Sequence, residues 1–230
     1  MKIKFEICAN SLASAIIGEQ AGADRLELCK DLAIGGLTPS IGDIEMAKKT
    51  LKIPVYVLIR PRGGDFVYSV EEFEIMKQEV HACGKLRSDG VVIGMLHANG
   101  TIDTERCLEL IHIAKAYDMG VTFHRAFDVC SDMYIALEEI IFMGCERILT
   151  SGGKKSALDG SSILCDLINR AGNRIIVMPG AGITEHNIVQ LIGETNLREF
   201  HGSFTDLSST QSKLPIADID RIKQALAAIL

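Results

Sequence analysis

The sequence predicts an α/β fold, a (β/α)8 TIM barrel formed as a single domain by residues 1–230. Three observations predict it. Short apolar runs alternate with amphipathic segments eight times, the pattern of a parallel sheet covered by helices. The units recur at a spacing of about 29 residues, which fits a closed eight-fold barrel. No G-x-G-x-x-G follows the first strand, which argues against an open doubly wound sheet. A faint internal echo agrees with a duplicated half-barrel. Ala21-Gly22-Ala23-Asp24-Arg25-Leu26 resembles Met143-Gly144-Cys145-Glu146-Arg147-Ile148, four units later.

The elements follow in order. Lys2–Cys8 alternates as a first strand, and Asn10 or Ser11 caps a helix that Gly22 closes. Asp24–Cys29 is the second strand. Pro39 sits near the first turn of a short helix ending at Leu51. Ile53–Ile59 is the third strand, and Ser69 with Glu72 forms a capping-box pattern that opens a helix to about Arg87. Gly90–Leu96 is the fourth strand, followed by a helix from Asp103 to Tyr117. Gly120–Phe123 is the fifth, followed by a helix from Ser131 to Met143. Glu146–Thr150 and Arg174–Met178 are the sixth and seventh strands, separated by a helix over Gly160–Ala171. A helix over Thr184–Ile192 precedes the eighth strand at Asn196–Phe200. Pro215 opens a last helix whose apolar face holds Ile216, Ile219, Ile222, Leu226 and Ile229.

Composition narrows the class. At 47% hydrophobic and 23% charged, the chain buries an ordinary globular core. A net charge of -6, no basic run and no Trp leave nothing to favour nucleic acid. No apolar run approaches the roughly 18 residues of a membrane helix. The start, Met1 to Glu6, reads as a strand and not as a signal peptide. Seven cysteines, an odd number with no CxxC, suggest free thiols in a reducing cytoplasm.

A barrel concentrates chemistry at the C-terminal ends of its strands. Three groups gather there. The first is a thiol pair. Glu6 and Cys8 share one face of their strand, as do Glu27 and Cys29 of the next, so adjacent strands bring Cys8 and Cys29 to the mouth. Two thiolates suit a soft ion such as Cu(I), while Zn(II) needs further ligands. The alternative is a pair of small buried hydrophobes. The second group is Arg60, Arg62 and Arg125, suited to a carboxylate or phosphate. Glu27 and His124 are candidates for proton transfer, and Asp128 for orienting His124 or an arginine. An internal salt-bridge network is the competing reading. The third group is the glycine-rich loops with Ser151, Gly152, Gly180 and Gly182, and His201 beside them. Backbone N–H groups there could cradle phosphate, or the glycines could serve only as turns.

Several strings in this set resemble one known family. They are Glu6-Ile7-Cys8, Gly22-Ala23-Asp24-Arg25-Leu26-Glu27-Leu28-Cys29, Gly35-Gly36-Leu37-Thr38-Pro39-Ser40 and Ile59-Arg60-Pro61-Arg62-Gly63-Gly64-Asp65-Phe66. Val121-Thr122-Phe123-His124-Arg125-Ala126-Phe127-Asp128, Leu149-Thr150-Ser151-Gly152, Met178-Pro179-Gly180-Ala181-Gly182-Ile183 and Glu199-Phe200-His201 continue the series. Together they resemble the CutC copper homeostasis family over nearly the whole chain. The resemblance implies a (β/α)8 barrel, a cytoplasmic protein, self-association as a homodimer or higher homo-oligomer, and a role in copper handling. The family's proposed Cu(I) site uses cysteines matching Cys8 and Cys29. The loop Phe204–Leu214 is shorter than the family's, so contacts made by that loop are not carried over. Two functions are therefore expected: copper binding through Cys8 and Cys29, or an enzyme acting on a small anionic metabolite by acid/base chemistry.

Overall fold

The computed structural model describes residues 2–205 and 216–229. β1 (Lys4–Ala9) leads into α1 (Leu12–Ala21), whose first turn is capped by the Ser11 side chain accepting from the Ser14 amide. β2 (Arg25–Leu28) and a 3-10 turn at Leu32–Ile34 precede α2 (Ile41–Thr50). β3 (Val55–Leu58) precedes α3 (Val70–Lys85), and β4 (Gly90–Ile93) precedes α4 (Thr104–Ala116). Reciprocal capping boxes start α2 and α3, Ser40 with Asp43 and Ser69 with Glu72. β5 (Gly120–Phe123) runs into a 3-10 turn at Arg125–Val129 and then α5 (Met133–Met143). β6 (Arg147–Thr150), α6 (Ser161–Ala171), β7 (Ile176–Pro179), α7 (Ile188–Thr195), β8 (Glu199–Gly202) and α8 (Ile219–Ala227) complete the order.

The elements expected from sequence are present, with several ends shifted. α7 begins four residues later than expected. The Asn187 side chain accepts from the Thr184 amide and donates to the Gly182 carbonyl, which holds 184–187 as a turn. Asn196 then closes α7 in the left-handed region at φ 54°, and β8 starts only at Glu199. β4 stops at Ile93 because Gly94 packs against the His124 ring, where an added Cβ would lie 2.5 Å from ring atoms. Asp132, not Ser131, caps α5, and Asp218 caps α8. Pro215 and most of the Phe204–Leu214 loop lie outside the described residues.

The eight strands pair in parallel in the order β7-β6-β5-β4-β3-β2-β1-β8. β7 and β8 have no ladder between them among the described residues. They still meet, since a Cβ added at Gly180 would sit 3.4 Å from the His201 Cβ. The major apolar core fills the space between the strands and the helices, with Phe5, Phe123, Phe127 and Phe200 fully buried.

Inside the barrel the lower half is ionic. Arg25 of β2 bonds Glu6 of β1 and, at 2.7 Å, Glu199 of β8. Arg147 of β6 reaches the same Glu199 oxygen at 2.9 Å. The Tyr56 ring packs against both guanidiniums, 5.3 and 5.4 Å from their Cζ atoms. Gly90 and Gly120 make room for it, because a Cβ at either would come within 2.2 Å of the tyrosine side chain. Burial alone would raise the Glu6 carboxyl, but Arg25 and His201 outweigh it and hold the pKa at about 2.

Two consequences follow for stability. Replacing Arg25 by Met leaves two buried carboxylates without their shared cation, and urea unfolding should show a loss of about 3–5 kcal/mol. The Glu6 contribution is present above its unfolded value of 4.5 and disappears as pH falls towards about 2. The cost of Arg25→Met should therefore shrink in acid, and a cost under about 1 kcal/mol at neutral pH would refute the network's role.

Candidate functional site

The mouth of the barrel encloses a cavity of about 400 Å³ at the C-terminal ends of the strands. β8, β1 and β2 present His201, Cys8 and Glu27 to it. The segments after β3 and β5 present Arg60, His124 and Arg125. The loops after β7 and β8 form the rim, from Ala181 to Thr184 and from Gly202 to Thr205.

The thiols are built by strand register. Cys8 pairs with Glu27 across the β1–β2 ladder, so Cys29 lies just past the end of β2. The two Sγ atoms are 3.8 Å apart, and both residues are buried. The contact with Cys29 and burial push the Cys8 thiol well above its usual range. Donor atoms of Cys8, Glu27 and His201 lie within 4.8 Å of one another, a spacing that a metal ion could span.

His201 owes its orientation to Glu6, one oxygen of which stands 2.8 Å from Nδ1. Because Glu6 is ionised, Nδ1–H donates to it, and the neutral ring carries its lone pair on Nε2. Burial would depress this histidine, but its bond to Glu6 and the charges of Glu27 and Glu6 raise it overall. Glu27 shows the opposite balance. Its burial dominates, the cationic form of His201 only partly offsets it, and the pKa rises to about 7. Its Oε2 is buried without a hydrogen-bond partner among the described residues.

His124 lies on the β3–β5 side. The Ala126 amide donates to its Nδ1 at 3.1 Å, which leaves the ring proton on Nε2. That Nε2–H is buried and has no hydrogen-bond partner among the described residues. Burial first and Arg60 second lower the pKa to about 3, so this imidazole is neutral at physiological pH. Arg125 borders the cavity and donates to Asp128 at 2.6 Å and to the Ser151 hydroxyl at 3.1 Å. Asp128 also accepts from Thr150 and from the Ser151 and Gly153 amides, so it organises the loop after β6 behind the wall.

Of the remaining sequence candidates, Arg62, Gly152 and Gly180 sit around this cavity and not in its wall. Arg62 is tied to Glu72 at 2.6 Å and to Asp65 at 2.9 Å. Gly152 is a turn residue at φ 69° that packs against the Gly160 carbonyl. Gly180 packs against Leu149 and His201, whereas Gly182 does line the cavity. Sequence reasoning missed three features. They are the Glu6–His201 bond, the Phe66 ring between Arg60 and His124, and Ala181, a non-glycine residue at φ 81° on the rim. Only register and loop conformation bring these together, and no spacing in the sequence signals them.

Fold and site together define a (β/α)8 barrel with a thiol-, histidine- and arginine-lined pocket at its mouth. The CutC family model matches residues 3–206, and the chain belongs to the CutC family. It is 46% identical over 215 residues to a CutC family protein of Xylella fastidiosa strain 9a5c, covering 94% of this chain and 80% of that protein. It is 46% identical to the human copper homeostasis protein cutC homolog, covering 86% of this chain and 72% of that protein. The crystal structure of a CutC protein from Streptococcus agalactiae superposes with a TM-score of 0.83 at 36% identity, covering 87% of this chain and 98% of that one. A phosphoribosylanthranilate isomerase from Pyrococcus furiosus shares the fold at a TM-score of 0.59 and 14% identity, over 99% and 98% of the two chains.

The Glu27 environment gives a pH signature. A carboxyl raised in the folded state stabilises it fully below the unfolded value of 4.5, and that stability is lost as pH rises through about 7. Metal-free wild type should therefore lose up to about 3 kcal/mol relative to Glu27→Gln between those limits, read from urea midpoints. Parallel pH curves for the two proteins would show that Glu27 ionises normally.

Proposed function

We propose that this protein handles copper as Cu(I), held at the barrel mouth by Cys8 and Cys29, with His201 as a further ligand. The observation that carries the reading is the pair of buried thiols 3.8 Å apart beside a histidine whose Nδ1 is fixed by Glu6. Soft thiolates select Cu(I) over harder ions. A carboxylate on the far nitrogen of a ligating histidine is the usual means of fixing its tautomer and raising its basicity. The human relative's name, a copper homeostasis protein cutC homolog, points the same way. Without a bound cation the Cys8 thiol keeps its proton, so Cu(I) must displace protons on binding.

The reading extends to a cytoplasmic, self-associating protein. All seven cysteines are free, which suits a reducing compartment. Phe142 and Ile135 expose apolar surface on α5, which offers a face for a second copy. Among the described residues, no helix is long and apolar enough to cross a membrane.

An anaerobic Cu(I) titration against a competing chelator tests the site. Wild type should bind one equivalent tightly, more weakly as pH falls, and Cys8→Ala/Cys29→Ala should lose at least about 100-fold in affinity, at the upper end of the effect of losing even an outer-shell partner. Glu6→Gln should cost about 10- to 100-fold through His201 alone. Undiminished affinity in the double cysteine variant would refute the reading.

A further inference from the structure

Arg60 has a position that copper binding does not explain. Its side chain is buried, and no carboxylate pairs with it among the described residues. Its Nη1 donates to the Ile34 and Gly36 carbonyls and its Nη2 to the Gly64 carbonyl, all at 2.9 Å. These dipoles satisfy hydrogens but leave a full positive charge uncompensated in a site of low dielectric, a costly arrangement. Its Nε makes no hydrogen bond of normal geometry among the described residues, and the buried Tyr68 hydroxyl is the neighbour that interacts with this guanidinium.

The surrounding groups share this bias. The Phe66 ring is 5.0 Å from the Arg60 Cζ and 4.9 Å from the His124 ring, which places both residues in one wall. His124 contributes to that wall a buried Nε2–H with no partner among the described residues. Arg125 spends Nε and Nη2 on Asp128 and Ser151, and its Nη1 has no partner among the described residues. Ala181 and Gly182 follow each other on the rim at φ 81° and 67°. Alanine is rare in this conformation, so the rim is held in a shape its own residue disfavours. All of these residues line the same cavity of about 400 Å³, which is the size of a small-metabolite site and far larger than a bare ion.

We propose that the β3–β5 wall of the mouth binds the oxyanion group, carboxylate or phosphoryl, of a small metabolite, with Arg60 supplying charge and His124 and Arg125 donating hydrogen bonds. The ligand neutralises Arg60 and satisfies donors that the protein leaves open. This site is separate from the thiol pair and stands whether or not copper binds there. Hydrogen bonds to a charged group are worth enough for each donor to matter about 10-fold or more.

The test uses the full-length, metal-free protein with inorganic phosphate and malonate as probes, against sodium chloride at equal ionic strength. Wild type should show a saturable rise in melting temperature and a measurable heat of binding with at least one probe, and the stronger probe identifies the group recognised. His124→Asn keeps an acceptor for the Ala126 amide but loses the Nε2–H, and Arg125→Gln removes the open guanidinium arm. Each should weaken the better probe about 10-fold or more. Arg60→Met is the direct variant, but it also releases three loop carbonyls, so His124→Asn and Arg125→Gln decide the outcome. Cys8→Ala/Cys29→Ala should bind the probe as wild type does. No saturable response to either anion, an undiminished response in both His124→Asn and Arg125→Gln, or loss of anion binding in the cysteine variant would each overturn the proposal.

Discussion

Glu6 joins the two halves of the barrel interior. One carboxylate oxygen meets Arg25 in the ionic floor, and the other meets His201 in the mouth. A carboxylate this deeply buried would ordinarily take up a proton. The Arg25 charge and the hydrogen bond with His201 prevent that, and the ionised Glu6 then fixes which nitrogen of the neutral His201 ring carries its hydrogen. The orientation of a mouth residue thus depends on a charge balance one layer below it. Arg25 in turn shares Glu199 with Arg147, so strands β1, β2, β6 and β8 are tied across the barrel by four side chains. Such a network is weak evidence for stability as such, since apolar packing could match it. Its value here is positional.

The same floor gives physical content to the internal echo. Arg25 and Arg147 occupy matching places in the two similar strings, four units apart. Each follows a helix closed by a left-handed glycine, Gly22 at φ 105° and Gly144 at φ 81°. Both arginines then converge on one glutamate oxygen and on the Tyr56 ring. Two half-barrels facing each other would produce this arrangement. The tyrosine needs space, and Gly90 and Gly120 supply it from β4 and β5.

The alternation of strands and helices was legible because many units carry their own local signals, above all the Ser69 capping pattern of α3 and the closing glycines of α1 and α5. The ends of α7 and β8 were not, because Asn187 converts an apparent first helical turn into a turn locked by its side chain. For the site, strand periodicity was enough to place Cys8, Glu27 and Cys29 at one end. It could not distinguish Arg60 from Arg62. They are two residues apart in one loop, yet one is buried facing the cavity and the other is partly exposed and paired with Glu72 and Asp65. Pairing in three dimensions decided that difference, as it decided the bond between Glu6 and His201, 195 positions apart.

The two histidines of the mouth show how neighbours assign chemistry. Both are almost completely buried, and burial pushes both towards the neutral form. Carboxylates surround His201, which raises its affinity for a proton and equally suits it to a cation. Arg60 adjoins His124 and drives it further down, so it remains a neutral imidazole that presents an N–H and not a lone pair. One wall of the cavity therefore attracts positive charge and the other attracts negative charge or a hydrogen-bond acceptor. A bare copper ion can satisfy only the first. The two walls therefore differ in the sign of charge they favour, because carboxylates neighbour His201 and an arginine neighbours His124.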